Sequence, residues 1–90
     1  MTAPAPVAAT VVHGAAMSTN LSLAAARADL HQAAAAQDDH RRTQYARSAR
    51  DHASSVLTSP GCSPREREYA ELYFAQAHAI VEGDESVPGR

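Results

Sequence analysis

From residue 18 onward, apolar residues recur at three- and four-residue steps in three separate runs, a pattern that predicts three helices. The first is expected from the capping residues Ser18, Thr19 and Asn20 to Gln37, with Leu23, Ala26, Leu30, Ala33 and Ala34 as a narrow seam. Asp38-Asp39 breaks the period. Aspartate favours a cap over a helix interior, so a tight turn is placed here, with one of the two aspartates capping the next helix. The second helix, His40 to Leu57, carries Tyr45, Ala49, Ala53 and Val56 down one side, with Ala46 and Leu57 beside them. Arg47, Asp51 and Ser54 fall on the opposite, wet side.

Ser59-Pro60-Gly61 ends that helix, because Pro60 disfavours a helical Ser59 and Gly61 supplies freedom for a reversal. The third helix has the best-specified start in the chain. Ser63 is the N-cap, Pro64 occupies the first helical position where its missing N–H costs nothing, and Glu66 completes a Ser-x-x-Glu capping box. Tyr69, Leu72, Tyr73, Ala77 and Ile80 make its main apolar stripe, widened by Ala70, Phe74 and Val81, and Gly83 is the expected stop. Residues 1–18, with Pro4 and Pro6 and no helical period, read as a disordered tail, and residues 84–90 as a short flexible one. The fold class is therefore all-α: a small antiparallel three-helix bundle over residues 19–83.

The stripe on the third helix is wider than two alanine-rich partners require. Its surplus predicts a second interface, with a second copy of the chain (a homodimer) or with another protein. Tyr73, Phe74, Ile80 and Val81 are the expected contact residues, with Arg47 and Arg50 as a polar rim.

Composition sharpens this picture. Hydrophobic residues make up 44% of the 90 but aromatics only 4%, and alanine dominates the apolar set, so each buried position removes little area from water. Stability must come from close helix approach. All eight basic residues are arginine, and the net charge of -2 argues against nucleic acid or a membrane surface as the general partner. Charge is unevenly spread: from Asp38 to Leu57, Arg41, Arg42, Arg47 and Arg50 stand against Asp38, Asp39 and Asp51, while from Arg65 to Glu85, Glu66, Glu68, Glu71, Glu82, Asp84 and Glu85 stand against Arg65 and Arg67. The simplest reading is mutual attraction across an antiparallel pair; phosphate contact by those arginines is the alternative.

Other chemistry is sparse. Cys62 is the one cysteine, so an internal disulfide is ruled out and a reducing, cytoplasmic setting is expected. No basic residue precedes the N-terminal apolar run, and no uninterrupted apolar run reaches the ~18 residues of a membrane span. The five histidines never stand at i, i+4 to one another, and none pairs with Cys62 at a structural-zinc spacing, so no metal and no cofactor are expected. A reactive Cys62 would need a positioned base that the sequence does not identify.

Two resemblances bear on function. Ala49, Ala53, Val56-Leu57 and Pro60 look like the second helix of a tetratricopeptide (TPR) repeat and its closing proline, and Tyr69-Ala70-x-x-Tyr73 is similar to the first helix of a following repeat. That likeness covers about 40 residues, at most one and a half repeats. It departs from the repeat pattern at Ala53, Val56 and Pro60. It implies a TPR-like helical hairpin plus one helix, with a non-enzymatic protein-binding surface. Arg47-Ser-Ala-Arg-Asp-His52 resembles the R-x4-H spacing of HEPN-type ribonucleases, which implies a ribonuclease or RNA-binding regulator using Arg47 and His52. Ser48 departs from that pattern, and five residues at 3.6 per turn set Arg47 and His52 about 140° apart on a straight helix. The expected function is accordingly a non-enzymatic protein-interaction or regulatory module, with the HEPN-like reading as the alternative.

Overall fold

A computed structural model of the chain describes residues 18–86, with side chains described as far as Gly83. The tail expected over residues 1–18 lies outside the described residues except for Ser18, as do residues 87–90. Among the described residues there are three helices: α1 (Thr19–Ala35), α2 (Asp39–Leu57) and α3 (Pro64–Ser86). The central helix is α2, which packs along both neighbours, whereas α1 and α3 meet over a shorter stretch. It runs antiparallel to both: Arg42 meets Ala36 beside the α1–α2 turn and Ser48 meets Asp29 further along each helix, and Arg50 of α2 meets His78 of α3 well beyond the 58–63 loop that joins them.

Local chemistry sets each helix start. Ser18 caps α1 by accepting from the Leu21 N–H at 3.2 Å, and Asp38 caps α2 by accepting from the Arg41 N–H at 2.8 Å. The first helix stops at Ala35, two residues before the expected Gln37, although alanine has the highest helix propensity. Ala36 is extended instead, and its carbonyl accepts from the Arg42 guanidinium at 3.0 Å, so a partner from α2 satisfies one orphan group at the helix end. Gly83 does not stop α3, which continues to Ser86 and makes residues 84–86 helical rather than tail. Glycine lowers helix propensity by about 1 kcal/mol without forbidding the conformation.

Small residues fill the lines of closest approach. Ala26, Ala33, Ala46, Ala49, Ala53, Ala70 and Ala77 are all fully buried, and Val56 and Val81 are the largest side chains in that state. Leu30, Ala49 and Ala77 bring the three helices together, with Tyr73 and Ile80 packed against them. Two faces are turned relative to expectation. On α1 the buried line is Ser22, Ala26, Leu30 and Ala33, with Leu23 half-buried and Ala34 exposed. On α3 it is Ala70, Ala77 and Val81, while Tyr69 and Leu72, expected in the core, are 42% and 50% exposed. Helices approaching through alanine must set alanine on the contact line, so the larger side chains flank it. No buried side-chain polar atom among the described residues lacks a partner.

Candidate interaction surface

The capping box of α3 fixes the position of the exposed aromatic side chains. Ser63 Oγ accepts from the Glu66 N–H at 3.1 Å, and the Ser63 N–H donates back to Glu66 Oε1 at 2.9 Å. The second carboxylate oxygen, Oε2, accepts from the Thr19 hydroxyl at 2.7 Å and so ties the start of α1 to the start of α3. These bonds hold the Glu66 carboxyl below its ordinary range. The Ser63 N–H is the largest cause and the Thr19 hydroxyl the next, against a weaker opposing effect of burial.

One turn beyond this clamp, Tyr69 and Tyr73 face Leu23, Ala24 and Arg27 of α1 across an open groove of about 490 Å³. Their ring centroids are 6.1 Å apart with planes tilted by 31°. Pro64, Arg65, Glu68 and Leu72 extend the same surface from Tyr69 onto the outer side of α3. An apolar, aromatic floor rimmed by Arg27 and Arg65 is thus open to solvent. Such a surface gains by burying its apolar part against another chain, and the rim orients whatever covers it.

The expected contact residues do not form one surface. Tyr73 lines the groove, and Ile80 packs against the core cluster. Val81 is 1% exposed and belongs to the core, which corrects its reading as surplus surface. Phe74 is half-buried on the α2 side, its ring stacked on His78 at 5.8 Å, and Arg50 Nη1 lies 3.3 Å from His78 Nδ1. Arg47 is exposed on α2. Sequence reasoning missed Tyr69, Leu72, Leu23 and Arg27 as surface groups. The spacing of Ala70, Ala77 and Val81 was the available signal, because it marks the contact line that displaces Tyr69 and Leu72 outward.

Arg47 and His52 point to different sides of α2, five residues apart on one helix, with Arg47 exposed. His52 is turned toward α1, with Nε2 3.8 Å from Asp29 Oδ2, and Ser48 donates to that same oxygen at 2.5 Å. The Ser48 hydroxyl is thereby engaged by a carboxylate between two helices. Among the described residues, no group of three or more His, Cys, Asp or Glu is placed to hold a metal ion, and no helix is long and apolar enough to cross a membrane. Cys62 is partly exposed in the α2–α3 loop, its N–H 3.4 Å from the Ser59 carbonyl oxygen.

No family of known proteins, no curated protein and no solved structure matches the chain.

Proposed function

We propose that the protein is a small non-enzymatic helical module that binds another protein chain through the α1–α3 groove and the adjoining outer side of α3. The observation that carries this reading is the exposure of Tyr69 and Leu72, 42% and 50%, in a protein whose core is built from alanine. Large apolar groups are scarce in this composition; Leu21, Tyr69 and Leu72 stand outside the core, and the last two share one continuous surface. Tyrosine suits such a place, because its ring gives contact area with little conformational freedom to lose and its hydroxyl tolerates water. The resemblance of the α2–α3 hairpin to a TPR repeat points the same way.

The test compares the full-length chain with a Tyr69→Ser/Leu72→Ser variant as baits. Both substitutions fall on exposed positions, and unchanged helical circular dichroism is expected. A partner held by the first bait and lost from the second supports the reading. Equal capture by both removes the surface from consideration. RNA cleavage by the purified chain that disappears in His52→Ala overturns the non-enzymatic assignment and favours the HEPN-like alternative.

A further inference from the structure

The outer side of α3 continues past the groove. Leu72, Ala75, Ala79 and Gly83 follow one another at steps of three or four and are all exposed. A Cβ added at Gly83 would meet nothing within 4 Å, so this end of the face is open as well. The face joins a projecting apolar group, Leu72, to a stretch of small residues on the same helix, so a helix laid along it can come close. Charges flank it at both ends: Arg65 and Glu68 stand at the N-terminal end, with Arg27 of α1 across the groove, and Glu82 stands at the C-terminal end.

We infer that a second copy of this chain covers the face, two α3 helices packing antiparallel about a twofold axis near Ala75. In that arrangement Leu72 of each copy enters the shallow surface at Ala79 of the other, and Arg65 of each stands opposite Glu82 of the other. One axis satisfies both contacts. The midpoints of 72 with 79 and of 65 with 82 lie two residues apart, so pairing Leu72 with Ala79 leaves Arg65 and Glu82 four residues, about 6 Å, out of direct opposition, a distance their two long side chains span together. Glu68 falls opposite Ala79 in the register that pairs Arg65 with Glu82, and opposite Gly83, beside Glu82 of the other copy, in the one that pairs Leu72 with Ala79, so its charge favours the first register. A twofold contact of this kind is self-complementary: one bulky group, one small patch and one charge of each sign are used twice. It also covers Tyr69 with the C-terminal turns of the partner helix. The pairing presupposes the interaction-module reading and narrows its partner to the chain itself.

Sedimentation equilibrium of the full-length chain between about 1 and 500 μM tests it. The average mass should rise from 9.5 kDa toward twice that value with concentration. Arg65→Glu and Glu82→Arg should each weaken association about tenfold, and the double variant should recover to within about threefold of the original, because the exchange restores opposite charges. Ala79→Gln, at an exposed and helix-compatible position, should weaken it by blocking close approach, with unchanged circular dichroism. A 9.5 kDa species at every concentration overturns the pairing. So does a dimer insensitive to Ala79→Gln, or a charge-exchanged double variant as weak as the singles. Capture of a different protein that depends on Tyr69 and Leu72, with no self-association, would leave the interaction-module reading standing and remove only this inference.

Discussion

Thr19 and Glu66 are joined by a 2.7 Å hydrogen bond between residues 47 positions apart, linking the first residue of α1 to the capping box of α3. Two local capping arrangements thereby become one tertiary clamp. With α2 packed between the other two helices, the bond closes the end of the bundle at which the groove opens.

Acid should loosen this clamp. The Glu66 carboxyl is held below its usual value of 4.5 by the Ser63 N–H and then by the Thr19 hydroxyl, so its stabilising effect is complete above about pH 4.5. It is lost as the pH falls through the lower folded-state value. Thr19→Val should move the Glu66 titration midpoint upward in a carbon-detected NMR titration, toward the value of an uncapped glutamate. A midpoint unchanged by that substitution would mean that the Thr19 bond does not form in solution.

Core substitutions should show how narrow the margin is. At roughly 0.05–0.15 kcal/mol per residue, the 69 described residues correspond to a stability of about 3–10 kcal/mol. Val56 is fully buried, and Val56→Ala should cost about 2 kcal/mol, a large share of that total. Enlarging the core should not help. Ala49 sits at 0% exposure in the cluster with Leu30 and Ala77, and Ala49→Leu should destabilise by about 1–3 kcal/mol through overpacking. Urea denaturation of the two variants checks both, and a stabilised Ala49→Leu would show that the helices are less closely packed than described.

Helix existence, order and N-terminal caps are local properties, and they are legible in the sequence. Ser18, Asp38 and Ser63 each precede a run of apolar period, and each accepts a bond from its own first turn. The buried face of a helix depends on contrast between its sides, and here contrast is weak. Alanine occupies every side of α1, so Leu23 and Ala34 look as eligible for the core as Ser22. The same weakness assigned Tyr69 and Leu72 to the core of α3 and Val81 to its surface. Hydrophobicity ranks Leu72 above Ala70, but a bundle with alanine contact lines selects by size. The candidate site followed the error: of Tyr73, Phe74, Ile80 and Val81, only Tyr73 lines the groove.

Gly83 offers a check on backbone rather than packing. It lies within α3, three residues before the helix ends, and an added Cβ would have open space. Gly83→Ala should therefore stabilise the protein by about 0.5–1 kcal/mol, since alanine loses less conformational freedom on entering a helix. A glycine serving as a left-handed helix stop would respond in the opposite direction. Thermal unfolding of the single variant distinguishes the two, and a lowered midpoint would place the end of α3 at Gly83.

The last relationship to test is the one between Asp29 and Ser48, which hold α1 and α2 together by a 2.5 Å bond in a partly buried setting. Removing either partner leaves the other short of its bond, and for a carboxylate acceptor the loss should be about 1.5–3 kcal/mol at most, less here because water still reaches the site. Asp29→Ala and Ser48→Ala should each destabilise, and the double variant should lose less than their sum, giving a coupling of about 1 kcal/mol. His52 makes the outcome specific. Its Nε2 is 3.8 Å from the same Asp29 oxygen, too long for a good hydrogen bond, so His52→Ala should couple to Asp29→Ala more weakly than Ser48→Ala does. If the two couplings prove equal, the histidine is a structural partner of Asp29 and is less free for the acid–base role that an RNA-cleaving site would require of it.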